Sequence, residues 1–191
     1  VVYISLLTCN HDTIRPSFNL DLRERKLAFS VLFTMPGVPF LYYGDEIGMK
    51  YQYLPTREGG YFRTGSRTPM QWDGTAGAGF TTGTPWLGIP DNHVTINAEA
   101  EENDPTSIYA FYKELVRLRK EMEIIADGQI RYLDSGHDSV LAYERTYGQE
   151  KLTVVCSLAG EELLLSEPIS LEGKKVLLSS YLDEPTGTVT T

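Results

Sequence analysis

The chain has 191 residues, 41% of them hydrophobic, which is enough to bury a core and to hold one domain or two small ones. With 26 acidic against 17 basic residues the net charge is −9, which repels phosphate backbones and anionic lipid surfaces and excludes nucleic acid and membranes as first partners. Cys9 and Cys156 stand far apart, with no Cys-x-x-Cys and no flanking histidine pair. That spacing argues against a disulfide framework or a zinc site, gives no reason to expect a metal or cofactor, and fits reduced thiols in a cytoplasm.

Residues 1–8 form a nearly unbroken apolar and β-branched run, the pattern of a strand buried on both faces of a parallel sheet. The run begins without a methionine and in mid-strand, so we expect a piece of a longer polypeptide, and no basic segment with a following apolar run marks a secretory signal. After a turn over 9–20, Asp21 predicts a helix. It can cap, Glu24 stands three residues on as in a capping box, and Leu22, Leu27, Ala28, Val31 and Leu32 supply an apolar stripe up to the stop at Pro36-Gly37. The uncharged stretch 27–43 is too short, and too interrupted by Pro36, Gly37 and Pro39, to cross a bilayer. A second buried run, 39–43, ends in Gly44-Asp45-Glu46. Strand, polar turn, helix, strand, polar turn is the grammar of an α/β fold, whose chemistry gathers at the carboxyl ends of its strands.

From about residue 48 to 103 the sequence is rich in Gly, Thr, Pro and aromatics without a sustained period. Connections of that length tend to be lids or binding loops. Asp104-Pro105 predicts the start of the next helix, with Ile108, Phe111, Tyr112, Leu115 and Leu118 on one face and basic residues at its end. After Gly128, short runs at 129–134, 140–146, 152–158, 163–165 and 175–181 predict an antiparallel sandwich or small barrel, with a domain boundary near 124–128.

Asn10-His11-Asp12, with Arg15 three residues on, follows the first strand directly. A carboxylate, an imidazole and a guanidinium there suit sugar recognition, since Asp and His take hydroxyl hydrogen bonds and an anion steadies an oxocarbenium-like transition state. From spacing alone the plainer reading, Asp12 capping a loop and His11 in a polar turn, is preferred. Neighbouring strands lie ~4.8 Å apart, so Asp12 and one of Asp45 or Glu46 could approach the ~5–5.5 Å separation of a retaining glycosidase pair. Those two acids could equally brace the strand end through backbone bonds. Trp72 and Trp86 read as packing beneath the long loop, and His93 and His137 as surface residues.

Asn10-His11-Asp12-Thr13-Ile14-Arg15, then residues 36–49 (PGVPFLYYGDEIGM), 67–73 (RTPMQWD) and 112–120 (YKELVRLRK), stand in the order found in glycoside hydrolase family 13. The chain most resembles its oligo-1,6-glucosidase, α-glucosidase and trehalose synthase branch, and residues 79–83 and 142–148 extend the resemblance over most of the chain. The resemblance implies an α/β plus all-β architecture. Residues 1–126 would be the C-terminal part of a (β/α)8 catalytic barrel, about strands seven and eight with their helices, and residues 127–191 an antiparallel β-sandwich domain. It also implies that Asp12 is the transition-state-stabilising carboxylate and that His11 bonds the same sugar. Arg15 would close the far end of the pocket by pairing with an aspartate from an early barrel loop. The family's proline before Arg15 is Ile14 here.

The family's nucleophile and acid/base lie on strands four and five, outside this chain, and Asp45 and Glu46 match a supportive motif. The implied activity is therefore that of a retaining α-glucoside hydrolase acting on oligosaccharides or α-glucans, with this chain inactive alone. A trehalose synthase or other α-glucosyl transferase is the rival within the class, and a non-catalytic module binding glycan or partners is the rival outside it. Two βα units cannot close an eight-stranded barrel, so self-association through exposed barrel surfaces is also expected.

Overall fold

The computed structural model describes residues 4–54, 62–165 and 169–181. Residues 1–3 of the expected first strand and residues 182–191 of the expected C-terminal domain lie outside the described residues. Strands β1 (Ser5–Leu7) and β2 (Val38–Phe40) pair in parallel, with Leu6 opposite Pro39, and helix α1 (Leu22–Thr34) connects them. The expected βα grammar is present, but the expected burial on both strand faces is not. Both strands run exposed, half-buried, exposed. Leu6 packs on the helices, whereas Leu7 and Phe40 on the opposite face meet solvent, because two strands are covered only on their helical side.

The start of α1 follows the capping box. Asp21 accepts from the Glu24 amide at 2.9 Å, and Glu24 accepts from the Asp21 amide at 2.8 Å. Its buried face differs from the predicted stripe: Lys26, Phe29, Leu32, Phe33 and Thr34 are buried, while Leu22 is exposed. Phe29 and Phe33, one turn apart, meet the Tyr112 ring edge-on at 5.1 and 5.0 Å, and this aromatic cluster sets the rotation of the helix. Tyr112 lies on α3 (Ile108–Glu121), whose predicted face is buried in full. The start of α3 moves by a few residues. Ser107 is the cap, accepting from the Ala110 amide at 3.0 Å, while Asp104 is used in a turn to Thr106. The long connection also carries local structure, with 3-10 turns at Phe62–Ser66 and Asp91–Val94 and the short helix α2 (Ala98–Glu102). Among the described residues no helix is long and apolar enough to cross a membrane.

Helix α4 (Glu123–Asp127) leads into β3 (Gln129–Leu133), β4 (Val140–Tyr147) and β5 (Glu150–Ser157), which form one antiparallel sheet in that order. Residues 163–165 and 175–181 form no strand, only an isolated bridge at Lys175. Leu164 is left in solvent, and Leu177 and Leu178 pack on the α3/α4 cluster of Leu118, Ile124 and Ile125 instead of building a second sheet. The sheet is tied to the helical layer by polar contacts. The Tyr143 hydroxyl lies 2.6 Å from Thr34 Oγ1, and the fully buried Arg145 donates to the carbonyls of Thr34 at 2.5 Å, Ile125 at 2.9 Å and Gly128 at 2.6 Å.

Two substitutions weigh these layers by urea unfolding. Leu115→Ala should cost ~2–5 kcal/mol through lost burial and a residual cavity. Tyr143→Phe should cost ~0.5–1.5 kcal/mol through the single lost hydrogen bond.

Candidate active site

The turn after β1 and the turn after β2 are held together from below by Arg15, which has no exposed side-chain surface. Its guanidinium donates to the Tyr43 carbonyl at 2.7 Å, to Asp45 Oδ1 at 3.2 Å and to the Ser66 carbonyl at 3.0 Å, and it lies over the rings of Tyr42 and Tyr43. Asp45 in turn accepts from Cys9 Sγ at 3.0 Å and Thr8 Oγ1 at 3.2 Å. Burial pushes the Asp45 carboxyl up, against the pull of Cys9, Arg15 and Thr8, and burial also pushes the Cys9 thiol up. Arg15 therefore braces the site from beneath. The pairing implied for Arg15 with an aspartate from an early barrel loop is a separate expectation; within this chain its bonds run inward to Tyr43, Asp45 and Ser66. Asp45 is likewise a buried bracing group with no free face for a reactant.

Asp12 and His11 stand above this base at the surface, with side chains 50% and 64% exposed. The loop is shaped by Asn10, whose side chain accepts from the Asp12 amide at 2.8 Å and whose amide donates to Thr13 Oγ1 at 2.9 Å. Asp12 is not confined to local loop bonds. Oδ1 accepts from Arg67 at 2.7 Å and lies 3.6 Å from Arg63, while Oδ2 lies 3.2 Å from His11 Nε2. Arg67 also donates through Nε to the His11 carbonyl at 2.9 Å, so one guanidinium grips both residues of the dipeptide. Ser66, next to Arg67, is fixed by Arg15 and Tyr42 at its carbonyl and donates to the Thr13 carbonyl. Spacing offered no signal that Arg63 and Arg67 would converge on Asp12, because the link joins segments more than fifty residues apart.

Arg67 also forms part of the wall of a cleft of about 470 Å³, together with Tyr43, Glu46, Trp72, Phe80 and Trp86. Asp12 is not in that wall and adjoins it across Arg67. The expectation that Trp72 and Trp86 pack beneath the loop is not met, since both rings are exposed on the open side of the cleft. The wall is anchored by Gln71, fully buried, whose side-chain amide donates to the Ile96 carbonyl and to Asn92 at 3.3 Å. The Gln71 and Trp72 carbonyls accept from the first amides of α2. Among the described residues the His93 ring bonds the Pro90 carbonyl and the His137 ring accepts from the Ser139 amide. Among the described residues no group of three His, Cys, Asp or Glu side chains converges as a metal-ion site.

Burial raises the Glu46 carboxyl above the ordinary glutamate value of 4.5, against hydrogen bonds from its own amide and that of Gly44. The folded chain therefore binds this proton more tightly than the unfolded chain does. The contribution of Glu46 to stability is full at low pH and is lost as pH rises from 4.5 through the higher folded value. Glu46→Gln should remove that slope. Melting curves are expected to show the variant gaining on the wild type between pH 4 and pH 7, and a constant difference would contradict this.

Residues 1–128 match the family model described as the alpha amylase catalytic domain. Among curated proteins, the oligo-1,6-glucosidase of Halalkalibacterium halodurans is 35% identical over 97% of this chain and 40% of its own length. Among solved structures, the trehalose-6-phosphate hydrolase of Bacillus licheniformis is 32% identical with a TM-score of 0.80, over 96% of this chain and 40% of that one. A trehalulose synthase is 30% identical with a TM-score of 0.83, over 98% of this chain and 40% of that one. The chain thus spans about two fifths of the length of these relatives.

Proposed function

Because the chain belongs to the α-amylase family, glycoside hydrolase family 13, we propose that it forms one wall of the active site of a retaining α-glucosidase acting on oligosaccharides. The observation that carries this reading is the position of Asp12, an exposed carboxylate gripped by Arg67 and His11 beside an aromatic cleft. Asp12 is the charge that steadies the oxocarbenium-like transition state, and His11 takes a hydroxyl of the same sugar. The arginines aim the carboxylate without consuming it, since an acid with both oxygens in fixed bonds is pre-organised for an incoming hydroxyl. The aromatic cleft suits the leaving sugar, whose apolar ring face stacks on Trp or Phe.

The attacking and proton-donating carboxylates belong to the part of the relatives that this chain does not span. Isolated, the 191 residues should show no turnover of p-nitrophenyl α-glucoside. In the full-length polypeptide carrying them, Asp12→Asn should lower kcat by ~10²–10³-fold, the scale of losing one transition-state electrostatic partner. Arg67→Lys, which keeps the charge but not the fork, should have a smaller effect in the same direction. Turnover by the isolated chain, or an Asp12→Asn enzyme of normal kcat, would refute the reading.

The likeness to a trehalulose synthase supports transfer in place of hydrolysis as the second reading. Product analysis on maltose, isomaltose, sucrose and trehalose separates the two. The two free, buried cysteines accord with a reducing cytoplasmic setting. The antiparallel sheet with its bridge at Lys175 accords with one layer of a C-terminal sandwich over residues 127–191.

A further inference from the structure

Ser66 and Arg67, adjacent in the long loop, bond three consecutive residues of the turn after β1. Ser66 Oγ donates to the Thr13 carbonyl at 2.5 Å, and Arg67 reaches the His11 carbonyl and the Asp12 carboxylate. The two links differ in stiffness. Arg67 is a long side chain, 30% exposed and paired with a half-exposed carboxylate, and an ion pair in contact with water holds its geometry weakly. Ser66 is fully buried, turns about a single side-chain torsion, and has its backbone fixed on both sides. Its carbonyl accepts from Arg15 and from the Tyr42 hydroxyl, each at 3.0 Å. The preceding Gly65 carbonyl accepts from the Gln52 amide at 3.2 Å, and the two segments lie so close that a Cβ on Gly65 would stand 1.7 Å from the Gln52 carbonyl oxygen.

We infer that Ser66 is a positioning residue, whose hydroxyl sets where Asp12 stands by holding the Thr13 carbonyl to the frame built on Arg15. The bonds inside the turn, from the Asn10 amide to Thr13 Oγ1 and from the Asp12 amide to the Asn10 side chain, fix its shape and not its height above that frame. The Ser66 hydroxyl supplies the height. A carboxylate that steadies a developing charge acts through its distance from the reacting carbon, and a displacement of about 1 Å is enough to cost ~10²-fold in rate. Ser66 itself touches no reacting atom and acts through Asp12, so its role rests on the part proposed above for that acid.

The test is a double-mutant cycle in the full-length polypeptide, with p-nitrophenyl α-glucoside as substrate. Ser66→Ala deletes the hydroxyl and leaves the carbonyl bonds to Arg15 and Tyr42 in place. It should lower kcat ~10-fold while KM stays within ~2-fold, the pattern of an interaction made in the transition state. Ser66→Cys, close in size and a weaker donor, should fall between Ser66→Ala and the wild type, and it carries the same cycle if the alanine variant does not fold. In the Asp12→Asn background the Ser66→Ala step should cost less than ~2-fold, because the group it positions is already gone. A side chain that merely supports the fold would slow both backgrounds alike. Equal cost in the two backgrounds, or a wild-type kcat for Ser66→Ala beside a slow Asp12→Asn enzyme, overturns the role of Ser66 and leaves the reading of Asp12 standing. Asp12→Asn with normal kcat overturns both.

Discussion

A guanidinium with no exposed surface is costly unless protein atoms take its protons, and the bonds of the two terminal nitrogens of Arg15, whose Nε finds no acceptor among the described residues, organise the site. Its bonds reach the Tyr43 carbonyl, the Asp45 carboxylate and the Ser66 carbonyl. They join the turn after β1 to the turn after β2 and to the start of the long loop. Removing either ionic partner would strand the other charge in a buried setting, so the three segments hold one geometry. Asp12 and His11 inherit their place from this base, and Arg67 inherits its place from Ser66. Asp12 and His11 are exposed, but the frame that presents them is buried and paired.

The fold was legible where local rules and tertiary packing agree. The face of α3 and the capping box of α1 follow from periodicity and short-range hydrogen bonding, and both are found as read. The buried face of α1 departs from the aliphatic stripe because Phe29 and Phe33 decide the rotation by meeting one tyrosine on another helix. The exposure of β1 has a different cause. An apolar run states what a strand is built to touch, and β1 and β2 are covered only on their helical side.

The site divides in the same way. Asp12 and His11 could be singled out from their position at a strand end and from the family resemblance. The partners that make Asp12 more than a loop residue, Arg63 and Arg67, lie in a segment with no periodicity. Their convergence is a fact of tertiary structure alone. Arg15 is buried in the frame beneath Asp12, a placement that residue spacing does not give.

Arg145 is a single side chain whose bonds close the C-terminal end of α1, the end of α4 and the entry to β3 at once. A seam tied at three carbonyls by one buried side chain resists opening. The β-sheet therefore does not behave as a detachable appendage: transplanting it onto another scaffold would carry away the cork and leave three carbonyls open, so grafts or truncations made at this junction must move the helix ends with it.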